Sequence, residues 1–102
     1  MENVIVIHEE GHGFIGVAKD IESAFHFLLR EGWITECMQF PIDYDDDSMF
    51  LSLEELRVRY GFKTLLETLV FMYEQSEYWF DAMFYFYEEE VYDKKIQKPL
   101  DK

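Results

Sequence analysis

Phe84-Tyr85-Phe86-Tyr87-Glu88-Glu89-Glu90-Val91-Tyr92 is the stretch on which the fold turns. Aromatic and β-branched residues favour a pleated strand, and a run of glutamates is tolerated where that strand is solvated at a sheet edge. Read as helix, the segment would merge with the apolar periodicity that begins at Phe62. The result would be a single helix of about 30 residues, far above the usual length. A final strand is therefore expected, and its partners must be sought earlier in the chain.

Val4-Ile5-Val6-Ile7 is a β-branched run that favours a buried strand. Gly11 and Gly13 mark a turn, and Phe14-Ile15-Gly16-Val17-Ala18 resumes the strand pattern, so a hairpin is expected around 9–13. Asp20 can cap a helix from 21 to about 31. Ile21, Ala24, Phe25, Leu28 and Leu29 form its apolar stripe, and Gly32 follows its end. Residues 33–40 read as a third strand stopped by Pro41, and 43–48 as an acidic loop. Ser52-Leu53-Glu54-Glu55 has the capping-box pattern, opening a short helix that Gly61 ends. From 62 to about 76, Leu65, Leu66, Leu69, Val70, Met72 and Tyr73 give another apolar helical face.

The expectation is an α+β fold. A small, mainly antiparallel sheet made by the N-terminal hairpin and the late strand packs against two or three helices. One domain over 1–93 and a basic frayed tail over 94–102 complete the reading.

With 22 Asp and Glu against 9 Lys and Arg in 102 residues, the formal net charge is −13. That balance speaks against direct contact with nucleic-acid phosphates or anionic membrane, which need cations. A hydrophobic content of 49% supplies a core. Cys37 stands alone, so no disulfide framework exists, and no run reaches the ~20 apolar residues of a spanning helix. A cytoplasmic protein is expected. Residues 64–93 hold eight acids and no Lys or Arg, and 71–92 hold ten of the nineteen aromatics. An acidic surface that is also aromatic suits a protein partner.

Two motifs have the letters of metal sites. His8-Glu9-Glu10-Gly11-His12 spells a zinc-peptidase pattern, but that chemistry needs a helix to bring both imidazoles to one face. A strand leads in and glycines disfavour helix, so the segment reads as a polar turn and no enzyme is expected. Asp43, Asp45, Asp47 and Glu54 match ligand positions of an EF-hand calcium loop. Ser48 replaces its glycine, however, and Pro41 leaves no entering helix. A small-ligand or calcium-binding module built on this loop is the alternative reading. Cys37 reads as a small core residue and His26 as a helix flank. No cofactor is expected.

Glu67, Glu74, Glu77 and Asp81 lie at i, i+7, i+10 and i+14. On a helix that persisted so far they would fall within an arc of roughly 80°, in a row about 21 Å long. Such a row, with the loop acids Asp43, Asp45, Asp46 and Asp47, can imitate phosphates and meet Arg and Lys of a partner. Tyr78 and Trp79 would supply contact area. The surplus aromatics also allow a homodimer.

Ile15-Gly16-Val17-Ala18, the following helix to Gly32-Trp33-Ile34, and the closing aromatic and glutamate stretch resemble small acidic proteins encoded by phages of Gram-positive bacteria. The resemblance implies an anti-defence role, since some such proteins inhibit host nucleases or restriction enzymes by imitating DNA. It implies no catalytic residues.

Overall fold

Strand β1 (Glu2–Glu9) lies at the centre of a three-stranded antiparallel sheet. On one side it pairs with β2 (Gly13–Ala18), on the other with β5 (Phe84–Val91), in the order β2-β1-β5. The structure, a computed structural model, describes residues 2–41, 50–75, 80 and 83–91. Between β2 and β5 the chain forms helix α1 (Ile21–Arg30), strands β3 (Gln39–Pro41) and β4 (Phe50–Ser52), and helices α2 (Leu53–Tyr60) and α3 (Leu65–Gln75). The fold is α+β, with an N-terminal hairpin and a late strand packed against helices.

Each helix start follows from its capping chemistry. Asp20 Oδ1 accepts from the Ser23 amide at 2.8 Å, opening α1. Ser52 Oγ accepts from the Glu55 amide at 3.1 Å while Glu55 Oε1 accepts from the Ser52 amide at 2.8 Å, the expected reciprocal box at α2. Gly61, at φ 80°, takes the left-handed position that ends α2. A second reciprocal cap, unforeseen from the pattern, opens α3: the Glu67 amide donates to Thr64 Oγ1 at 3.1 Å, and Glu67 Oε1 accepts from the Thr64 amide at 3.1 Å. Phe62 is thus left out of that helix and packs instead against Tyr60 and Phe71.

The core lies on one face of the sheet. Phe25 of α1 is fully buried, with its ring 5.9 Å from Tyr73, 5.0 Å from Phe80 and 5.3 Å from Phe86. Ile7, Leu28, Leu69, Met72 and Phe84 join it, so β1, β5, α1 and α3 converge there. Thr68, the one buried polar residue among those described, donates its hydroxyl to the Thr64 carbonyl.

Two expectations are corrected. Residues 33–38 form no strand, because their backbone groups are committed elsewhere. The Trp33 and Ile34 amides both donate to the Leu28 carbonyl and close α1, while the carbonyls of Glu36 and Met38 accept the Glu54 and Leu53 amides at the start of α2. Only Gln39–Pro41 is extended, and it pairs with β4 in a separate two-stranded sheet. Cys37, expected in the core, is exposed in this turn, where Ile34 and Met38 supply the inward contacts.

Candidate protein-docking face

Cross-strand register sorts the sheet residues by face. In an antiparallel pair, directly opposed residues point the same way and successive ones alternate. Ile7 opposes Gly16 and Phe86 on the helix side. Val6 opposes Val17 and Tyr87, and His8 opposes Phe14 and Tyr85, on the other side. Among the described residues no helix covers this second face. Phe14 is 59% exposed, Val17 53%, Tyr87 49% and Tyr85 38%, so four of the seven large exposed hydrophobics among the described residues share it. His8 sits among them, its ring 5.3 Å from Tyr87 and 6.1 Å from Phe14.

A bulge makes the face contiguous. Phe14 and Val17 are three residues apart, so strict alternation would send them to opposite sides. The pairing shifts between Ile7 and His8, and Ile15 is the extra residue. Ile15 therefore packs against the core beside Gly16, and both flanking side chains point outward. At Gly16 the α1 side chain of Phe27 comes close: a Cβ there would lie 2.9 Å from its Cζ.

Acids border the aromatic patch at the far end of β5. Glu89 opposes Val4 on the outer face and is exposed. Exposed Glu88 points to the helix side, where its Oε2 accepts from the side-chain Nδ2 of Asn3 at 3.2 Å. At the other end, Glu9 Oε1 accepts from the Gly11 amide at 2.8 Å and lies 2.7 Å from His12 Nδ1, which holds the Glu9 carboxyl below its usual range. The zinc-peptidase letters thus lie on a strand end and its turn, with Glu9 closing that turn and His12 edge-on to Trp33.

Of the acids and aromatics expected to bind a partner, Glu67 and Glu74 lie among the described residues. Glu67 is occupied by the α3 cap, accepting from both Lys63 and Thr64 amides at 3.1 Å. Glu74 is exposed in the last turn of α3 and pairs with no cation among the described residues. Helix α3 is described as far as Gln75, and Phe80 is buried in a 3₁₀ turn. Glu77, Asp81, Tyr78, Trp79 and the loop acids Asp43, Asp45, Asp46 and Asp47 lie outside the described residues.

Glu54, a ligand in the alternative calcium-loop reading, has both carboxylate oxygens bonded to Arg57. Its oxygens accept from Arg57 Nε at 2.8 Å and Nη2 at 2.6 Å, and this contact lowers the pKa of the Glu54 carboxyl. Arg57 also donates to the Phe62 carbonyl, tying α2 to the connection before α3. Among the described residues no group of three or more potential ligands could hold a metal, and no helix is long and apolar enough to cross a membrane. A surface groove of about 520 Å³ between β2 and α1 is lined by Lys19, Asp20, His26, Phe27, Arg30 and Leu66. Arg30 there is taken up by Glu31 and by the Phe27 ring.

The outer-face residues were missed individually, although part of the signal was legible. Alternation along β5 gives Tyr85, Tyr87 and Glu89 a common face, whereas nothing in the sequence marks Ile15 as a bulge.

Comparison with known proteins gives no family. No family model matches the chain, and neither a curated protein nor a solved structure matches it.

Proposed function

We propose that this chain is a non-enzymatic interaction protein that binds a basic surface of another protein. The observation that carries this is the uncovered sheet face, aromatic at its centre and acidic at the end of β5. Aromatic side chains supply most of the energy at protein interfaces, and flanking charges choose the partner and speed encounter. The net charge of −13 supports a cationic partner and disfavours nucleic acid itself. A nucleic-acid-binding protein of a bacterial host fits that description, with the chain acting in the host cytoplasm as a phage-encoded, DNA-imitating inhibitor of defence. The resemblance to small acidic phage proteins supports this narrower form, and the exposed carboxylate of Glu89 on the outer face, with Glu88 beside it on the same strand, would meet the cations.

The test is affinity chromatography of a Gram-positive host lysate on the immobilised chain, with elution by rising salt. Captured basic proteins should elute as salt screens the contact. The combined Glu88→Lys and Glu89→Lys variant should lose them, and His12→Ala should not. Complexes that withstand both salt and charge reversal would remove the proposal.

A further inference from the structure

β5 is an open edge. It lies last in the order β2-β1-β5, and among the described residues no strand pairs with its other side. Its eight residues contain no glycine, proline or lysine, and its register with β1 runs unbroken from Glu2↔Val91 to Glu9↔Phe84. The opposite edge is different: β2 is shorter, bulged at Ile15, and opens on Gly13 in a left-handed conformation. Proteins blunt edges with such devices, and β2 is blunted while β5 is straight.

What guards β5 is charge. Two copies paired edge to edge in parallel, or antiparallel about Glu89, would set like charges from Glu88 and Glu89 against each other, which is destabilising, while full antiparallel overlap would set Glu88 against Tyr87 with no charge gained. The same carboxylates favour an edge of opposite charge. We infer that β5 accepts an added strand from a partner: an extended, cation-bearing segment that continues the sheet antiparallel to β5. Side-chain order along β5 sets the order in that segment. Its first half would lie opposite the glutamates and carry Lys and Arg, and its second half would lie beside Tyr87, Phe86 and Tyr85 and carry β-branched residues. Backbone hydrogen bonds would supply affinity, and alternate side chains would supply selectivity. This inference rests on the proposed function, and it specifies how the basic partner docks.

The probe is a capped synthetic peptide, acetyl-Thr-Lys-Arg-Lys-Val-Thr-Val-Thr-amide, matched to the length of β5. Two analogues are N-methylated, one on each alternate set of backbone nitrogens. An added strand turns only one set toward β5, so one analogue should lose about tenfold or more in affinity, a difference of ~1.4 kcal/mol, while the other keeps it. Hydrogen exchange of the full chain followed by NMR should slow at alternate amides of β5 when the parent peptide binds. The combined Glu88→Lys and Glu89→Lys variant should bind the parent about tenfold more weakly, with its amide spectrum showing an intact fold. If both analogues bind like the parent and affinity still falls with salt, strand addition is overturned while the charge-based function stands. No binding by the parent peptide overturns strand addition too. So does a peptide-free dimer that protects the same β5 amides, because the edge would then belong to a second copy.

Discussion

Gly16 carries no left-handed backbone, unlike Gly13, Gly32 and Gly61. Its role is to leave room for Phe27, whose Cζ and Cε2 atoms would stand 2.9 and 3.0 Å from an added Cβ. Gly16→Ala should therefore destabilise the protein by about 1–3 kcal/mol, the usual penalty of overpacking. Phe27→Leu in the same chain should recover part of it. Urea denaturation measures both, and a neutral Gly16→Ala would mean that the ring swings aside at no cost. Titration gives a second expectation at this scale. Three carboxyls are held below their usual range: Glu9 by the His12 hydrogen bond, Asp20 by the Ser23 amide, and Glu54 by the Arg57 guanidinium. A lowered pKa means that the folded chain holds the anion more firmly than the unfolded chain does. The resulting stability is complete above the unfolded values near 4 and is lost as pH falls through the folded ones. Unfolding midpoints measured between pH ~5 and ~2 should fall with acid, and Glu54→Gln should flatten that slope.

Single elements depend on their caps. Ser52→Ala removes one half of the box at α2 and should cost about 1 kcal/mol, lowering Tm by several degrees. An unchanged melting curve would show that α2 is held by Leu53 and Leu56 alone. Local signals of this kind are legible in the sequence. The Asp20 and Ser52 caps, the Gly61 stop and the apolar stripe of α1 each depend on residues within one or two helical turns. The hairpin and the final strand followed from β-branched and aromatic runs. What escaped reading depends on distant partners. Residues 33–38 look extended, yet their carbonyls serve the α2 start some fifteen positions later. Thr64 and Glu67 close a cap whose acid had been assigned to a partner-facing row. The docking face suffers most from this limit. Its continuity needs the bulge at Ile15, which exists only in the pairing of β2 with β1.

For the whole molecule, self-repulsion and partner attraction have the same origin and opposite salt responses. A net charge of −13 strains the folded state by crowding like charges, and added salt screens that strain. Thermal melts at neutral pH should therefore show Tm rising with sodium chloride over the range in which a basic partner is released. A Tm that falls with salt would mean that ion pairs such as Glu54–Arg57 and Glu31–Arg30 outweigh the repulsion, and would weaken the charge argument for the docking face. The order of the central sheet has a further consequence during biosynthesis. β1 has its full set of neighbours only when residues 84–91 are present, because β5 and not a nearby strand covers its second side. A nascent chain that has emerged only as far as the α3 region exposes Val4-Ile5-Val6-Ile7 along an unsatisfied backbone edge, in a form prone to association. Loss of β5 through a premature stop should therefore yield an aggregating or chaperone-bound product instead of a smaller folded one.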